Sequence, residues 1–486
     1  MNVLRVVAVG VAWAGLAIGG VVVGMAAGAG VGVGVGGGDG KKPNIVFILA
    51  DDLGYGDLGC YGQQRIRTPR LDRMAREGTR FTQVYAGATV CAPSRCVLMT
   101  GRHTGHARVR GNAGAGNPLA QSLRPSDVTV ARLLVDSGYR TGLVGKWGLG
   151  DVGAAEPGLP ERHGFEHMFG YLNQTHAHNY YPAFLWRNGQ RVTLGNVVTN
   201  AAASGAGVAS VRVDYSHDLF AEEALRFIRE RRDRTFFLYL ALTSPHANNE
   251  AGKRGMEVPD LGEYSAMDWP EPQKGHAAMI TRMDRDVGRV LDLLKELGLE
   301  EKTLVVFTSD NGPHREGGND PGFNRSSGPF RGIKRDHTDG GIRVPMIVRW
   351  PGQVPSGRVD GSVWWFADVM PTLAEVAGVP VPSGIDGTSV LKTWRGGEQP
   401  ELQERFLYWE FHEGGFKQAG RWKNWKILRN RREGASELYD LSKDVGELNN
   451  VAEANAELVR ELEGRLRSAR EESVDWPVVQ AKGPGK

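Results

Sequence analysis

The stretch Pro43-Asn44-Ile45-Val46-Phe47-Ile48-Leu49-Ala50 runs directly into Asp51-Asp52-Leu53-Gly54. A short continuous apolar run rich in β-formers reads as a strand buried on both faces of a parallel sheet. The polar tetrapeptide after it marks the carboxyl end of that strand. Working outward, strands are also expected at 139–144, 235–242 and 303–309. Helical spacing covers 70–78, 128–137, 218–231 and 277–297. Strands alternating with helices predict a doubly wound α/β fold. Past the Pro- and Gly-rich segment 380–397, residues 406–411, 422–429 and 437–441 read as short antiparallel strands, and 452–471 as a charged amphipathic helix. The expected organisation is a leader and linker over 1–40, a catalytic domain over 41–395 and a small α+β subdomain over 396–486.

The second informative stretch is Cys91-Ala92-Pro93-Ser94-Arg95, continuing Cys96-Val97-Leu98-Met99-Thr100-Gly101-Arg102, in a chain of three cysteines. As local structure it reads as a helix start, with Pro93 in the first turn and Gly101 as a left-handed C-cap. As chemistry it reads C-x-P-x-R. Two further motifs follow predicted strand ends. Asp51-Asp52 follows the first strand and Asp310-Asn311-Gly312 follows the strand ending at Ser309. Ligands of open α/β sheets bind outside the carboxyl ends of strands. Carboxylate and amide oxygens gathered there suit Ca²⁺ or Mg²⁺ rather than Zn²⁺. The same residues also suit turn and cap chemistry. Lys146, in Gly145-Lys146-Trp147, and His246, in Ser244-Pro245-His246, follow strands. Lys334 precedes Asp339-Gly340-Gly341-Ile342-Arg343.

Taken together these residues resemble the type I sulfatases, of the arylsulfatase A and N-acetylgalactosamine-6-sulfatase kind, from Pro43 to about Ala452. Leu438-Tyr439-Asp440-Leu441 is similar to the family's C-terminal pattern. The resemblance implies an alkaline-phosphatase-like fold, with a mixed, mostly parallel sheet flanked by helices and a smaller C-terminal antiparallel sheet. It implies that Cys91 is oxidised by a formylglycine-generating enzyme to Cα-formylglycine, whose hydrate is the nucleophile on a sulfate ester. It assigns Asp51, Asp52, Asp310, Asn311 and the modified residue 91 to a calcium site, where the residue types alone leave magnesium open. Arg95 would steady residue 91, Lys146 and Lys334 would hold sulfate oxygens, and His246 would protonate the leaving alcohol.

There are two departures from the pattern. Gly148 stands where many members carry histidine in G-K-W-H-x-G, and Asp339 stands where a glutamate commonly precedes Gly-Gly. His176 or His178, in the aromatic stretch His176-Ala177-His178-Asn179-Tyr180-Tyr181, is the candidate to replace the missing histidine or to bind substrate. The polar and aromatic segment 173–187 suggests a site for a sulfated carbohydrate, an aryl sulfate being the other substrate class. A phosphate mono- or diester hydrolase, a glycan-binding protein with an unmodified thiol, and a cysteine hydrolase are the rival readings.

A formal net charge of +3 and the absence of a dense basic block exclude a nucleic-acid partner. The apolar run 6–18, followed by Ala27-Gly28-Ala29 and the glycine-rich 30–38, reads as a signal peptide or signal anchor with a linker, so export is expected. With Cys91 converted, Cys60 and Cys96 remain as two thiols that an oxidising compartment would allow to pair, and the sequence leaves open whether they approach each other.

Overall fold

The computed structural model describes residues 42–113, 117–199, 201–432 and 434–478. The segment 1–40 read as leader and linker lies outside the described residues. Among the described residues there are seventeen strands, and helices separate those of the central parallel sheet. In chain order the strands are β1 (Asn44–Ala50), β2 (Thr79–Tyr85), β3 (Arg140–Lys146), β4 (His167–Tyr171), β5 (Phe184–Arg187), β6 (Gln190–Thr193), β7 (Val197–Thr199), β8 (Val208–Val211), β9 (Phe236–Ala241), β10 (Thr303–Ser309), β11 (Arg343–Arg349), β12 (Arg358–Asp360), β13 (Trp364–Trp365), β14 (Phe406–Phe411), β15 (Lys417–Trp422), β16 (Trp425–Arg429) and β17 (Glu437–Asp440). The helices are α1 (Pro69–Glu77), α2 (Cys91–Thr100), α3 (Val130–Asp136), α4 (Ser216–Arg231), α5 (Glu271–Glu296), α6 (Asp339–Ile342), α7 (Val369–Ala377), α8 (Leu391–Trp394) and α9 (Ala456–Ser468).

An 11-stranded sheet runs β12-β2-β11-β10-β1-β9-β3-β4-β5-β6, with β13 also on β2. Its centre, β10-β1-β9-β3-β4, is parallel throughout. The β11 and β5 strands run against it. The mixed, mostly parallel expectation therefore holds. Every residue of β1 is buried, which is why its sequence is continuously apolar. Ile45, Phe47 and Leu49 enter one core with α2, α3 and α7; Val46, Ile48 and Ala50 enter the other with α1, α4 and α5.

The C-terminal antiparallel sheet β14-β15-β16-β17 packs Leu407, Trp409, Ala419 and Leu428 into the first of these cores. Tyr408, Ile427 and Leu438 cover α9. The single strand expected over 422–429 is two. The chain turns at Lys423, with φ 54°, so that Trp422 pairs with Trp425. Helix α5 starts six residues before the expected 277. Gly101 caps α2 in the left-handed region, with φ 67°, as expected. The three cysteines are free. Cys96 sits in the first core and Cys60 packs on the second, so the sheet separates them, which answers the pairing that the sequence left open.

Candidate active site

Strand register brings the motifs to one edge. Ala50 lies opposite Ser309, Leu49 opposite Ala241, and Ala241 opposite Gly145. Asp51, Asp310, Lys146 and the segment leading to His246 therefore emerge side by side at carboxyl ends. Cys91 is the first residue of α2 and lies in a cleft of about 620 Å³ together with His178, His246 and Lys334. Ser94 fixes the first turn of that helix. Its hydroxyl donates to the Asp310 carbonyl at 2.5 Å and accepts from the Gly87 N–H at 3.1 Å.

The charges form a closed set. Lys146 Nζ lies 2.7 Å from Asp51 Oδ2, and Lys334 Nζ lies 2.8 Å from Asp52 Oδ2. Arg95, wholly buried, donates through Nε (3.0 Å) and an Nη (2.8 Å) to Asp310 Oδ2, and through its other Nη to the Lys146 carbonyl (2.9 Å). Arg95 thus binds Asp310 and the carboxyl end of the lysine strand, with no hydrogen bond to the Cys91 thiol among the described residues. Burial pushes the Asp51 carboxyl up, but Lys146, His246, Arg95 and Lys334 outweigh it and hold the group well below the usual carboxylate range. Burial, with Asp51 beside it, raises Asp310 to about 7. Burial and the Asp51 charge push the Cys91 thiol well up, and its Sγ is 3.4 Å from Asp51 Oδ1. A buried thiol held protonated is a poor thiolate nucleophile, which counts against a cysteine hydrolase.

The donor set fits a hard divalent cation. Asp51, Asp52 and Asp310 are fully buried and converge, and the ligand atoms of Asp51, Asp52, Cys91 and His246 all lie within 4.8 Å of one another. Asn311 Nδ2 donates to Asp52 Oδ1 at 2.7 Å, while Asn311 Oδ1 is buried with no hydrogen-bond partner among the described residues. An orphaned buried oxygen beside three carboxylates is the feature a metal would satisfy. Asp52 adopts φ 64°, a left-handed conformation costly for a residue with a Cβ. Its N–H donates to Asp310 Oδ1 at 3.1 Å, and its carboxylate is held by Asn311 and Lys334.

His246 Nδ1 donates to the Ala247 carbonyl at 2.7 Å in the neutral ring, which leaves Nε2 to accept from Lys334 at 3.1 Å. Burial and Lys334 depress its pKa well below the usual histidine value. Glu316, which sequence reasoning missed, completes this corner. Its Oε2 is 3.2 Å from Lys334 and its Oε1 accepts from Arg335 at 2.6 Å. Burial raises its pKa, and Lys334 and the nearby histidines bring it down to about 2. Its only sequence signal was its place five residues after Asn311.

Gly148 sits at φ 80°, and a Cβ there would meet Gln174 Nε2 at 2.2 Å. The Gln174 carboxamide fills the space where a side chain at 148 would begin. His176 is fully buried against Tyr171 and Phe184 and does not line the cleft. His178 does line it and stacks on His246, with centroids 4.9 Å apart and planes 10° apart. Tyr180, Tyr181, Phe184 and Trp186 belong to cores, so the aromatic platform anticipated from 173–187 is not formed. The polar members Asn173, Gln174 and Thr175 line the cleft instead. Asp339 is tied into a buried network with Lys426 (2.6 Å), Arg343 (3.1 Å) and Tyr85 (2.9 Å), so the shorter acid serves there.

A family model described as Sulfatase matches residues 43–379, and one described as N-sulphoglucosamine sulphohydrolase, C-terminal, matches 333–472. Steryl-sulfatase of Mus musculus is 35% identical over 80% of this chain and 71% of its own. Arylsulfatase A of Homo sapiens is 33% identical over 87% and 86%. Among solved structures, Ps i-CgsB in complex with k-i-k-neocarrahexaose superimposes with TM-score 0.75 at 27% identity, covering 91% of this chain and 96% of that one.

Proposed function

From the premise that this chain belongs to the sulfatase family and is a sulfuric ester hydrolase, we propose that it removes sulfate from carbohydrate esters, using Cα-formylglycine formed from Cys91 and a bound calcium ion. The observation that carries this reading is the convergence of Cys91, Asp51, Asp52 and His246 within one buried cluster, flanked by two lysines, at a cleft. Asp51, Asp52, Asp310 and Asn311 would hold the cation, which when bound supplies a Lewis acid for sulfate oxygens. Formylglycine supplies a hydrated aldehyde as nucleophile, as the family resemblance implies.

The chain's own residues do the rest. Lys146 and Lys334 set fixed positive charge where negative charge grows on the departing ester. Lys334 donates to His246 Nε2 across 3.1 Å, and this pair would supply the proton for the leaving alcohol. The cleft wall carries amides and hydroxyls, among them Asn112, Gln121, Asn173, Gln174, Thr175 and Asn249, beside apolar surface from Pro118 and Ala155. Such groups pair with hydroxyls rather than with a hydrocarbon skeleton, which supports a sugar over a sterol. A relative named N-acetylgalactosamine-6-sulfatase and the solved structure in complex with k-i-k-neocarrahexaose point the same way. The reading includes maturation by a formylglycine-generating enzyme and export directed by the apolar N-terminal run.

The test has two parts. Mass measurement of the peptide containing residue 91, from protein co-produced with a formylglycine-generating enzyme, should show a loss of about 18 Da relative to cysteine. The same protein should turn over an aryl sulfate and a hexose sulfate far faster than an aryl phosphate. An unmodified thiol in active protein, or a preference for phosphate, overturns the reading.

A further inference from the structure

Two short turns meet over the cleft. One carries His176–His178 and the other begins at Asn249. Tyr180, two residues after the first turn, ties it to the segment that leads into the second, because its buried hydroxyl reaches both the Thr243 carbonyl and the His246 carbonyl at 2.7 Å. That strut sets the rings of His178 and His246 face to face. The two imidazoles are then used differently. Both nitrogens of His246 are engaged, with Ala247 and with Lys334. In His178, Nδ1 is held by both oxygens of Glu250, at 3.2 and 3.3 Å. Its Nε2 has no hydrogen-bond partner among the described residues, and the ring lines the cleft.

A carboxylate on Nδ1 fixes the tautomer with the proton on that atom and leaves Nε2 as an oriented acceptor. An Nε2 that presents its lone pair at the mouth of the cleft matches a hydroxyl donor on the alcohol half of the ester. It does not match the sulfate, which is itself an acceptor. We propose that His178, positioned by Glu250, is a specificity determinant that accepts a hydrogen bond from a sugar hydroxyl near the sulfated carbon. Glu250 is a positioning residue acting through His178. This inference rests on the carbohydrate reading above and adds the residues that recognise the sugar.

The experiment measures binding rather than turnover, so that a proton-transfer role for His178 does not register. Calorimetry on Cys91→Ser protein loaded with calcium gives parent affinities for a panel of hexose O-sulfates and for 4-nitrophenyl sulfate, which has no hydroxyl. Adding His178→Ala should weaken the best hexose sulfate about tenfold and leave the aryl sulfate within about twofold. Adding Glu250→Ala should weaken the hexose sulfate alone, and Glu250→Gln, which keeps an acceptor for Nδ1–H, should restore most of it. Unchanged hexose sulfate affinity in His178→Ala overturns the proposal. An equal loss for both ligands overturns it too, because the histidine then shapes the cleft as a whole. If the parent binds the aryl sulfate and no hexose sulfate, the carbohydrate reading fails and the dyad's role fails with it. Selective loss on the hexose sulfate sustains both.

Discussion

Replacing Arg95 by methionine removes a guanidinium that is wholly buried and makes two hydrogen bonds, 3.0 and 2.8 Å, to one oxygen of Asp310. A second contact reaches Asp51 at 3.5 Å and a third holds the Lys146 carbonyl at 2.9 Å. Methionine keeps most of the volume, so the loss is electrostatic and not a cavity. Breaking one partner out of a buried pair costs about 3–5 kcal/mol when the other charge stays ionised; Asp310, already raised to about 7, relieves part of that by taking up a proton, so the lower end is expected. Neutralising that charge with Asp310→Asn in the same chain should recover much of it, giving a coupling energy above about 2 kcal/mol. The assay is guanidinium unfolding followed by tryptophan fluorescence for the parent, Arg95→Met, Asp310→Asn and the double variant, all in chelator so that metal binding does not enter. A coupling below about 1 kcal/mol is what an exposed ion pair gives. That result would refute the reasoning that this pair is the electrostatic keystone under the cleft.

Acid should unfold the chain partly through Glu410. Burial raises its carboxyl, but His412, Arg110 and Arg470 outweigh that and hold it at about 2. The folded state then binds fewer protons there than the unfolded chain, so about 3 kcal/mol of stability is present above roughly pH 4.3 and is lost as pH falls towards 2. Glu410→Gln should remove that stability at neutral pH and flatten the acid limb of a stability–pH curve, whereas parallel curves would show that Glu410 contributes nothing to acid sensitivity. Chelation should abolish aryl sulfate hydrolysis and lower the unfolding midpoint. Calcium at a hundred times its Kd should return about 2.7 kcal/mol and magnesium less, so an enzyme indifferent to chelator would contradict the metal assignment. Gly312→Ala places a Cβ 2.0 Å from the Gly340 carbonyl oxygen. Backbone cannot swing aside as a side chain can, so a loss of about 3 kcal/mol is expected, and a denaturation midpoint equal to the parent's would show that the two loops have room to part.

Residues at the ends of buried strands were legible because two local signals coincide there. Asp51 and Asp52 follow seven residues that can only be a covered strand, and Asp310 and Asn311 follow another such run. A polar group in that position has nowhere to go but the carboxyl edge of the sheet. The parallel core followed from the same signal, whereas β2, with Thr-Arg-Phe-Thr-Gln-Val-Tyr, is only half covered and its polar half hid it. Loop residues outside those motifs were not legible, since no periodicity announces where a loop folds back. Glu316 and Glu250 are ordinary surface acids by sequence, and only the fold sets them 3.2 Å from Lys334 and from His178. The substitution at 148 shows why a motif read alone misleads. A missing histidine suggests a defective site, yet the space is filled by Gln174 from a different loop. A distant side chain can replace a motif residue sterically without replacing its chemistry, because a carboxamide takes up no proton near neutral pH.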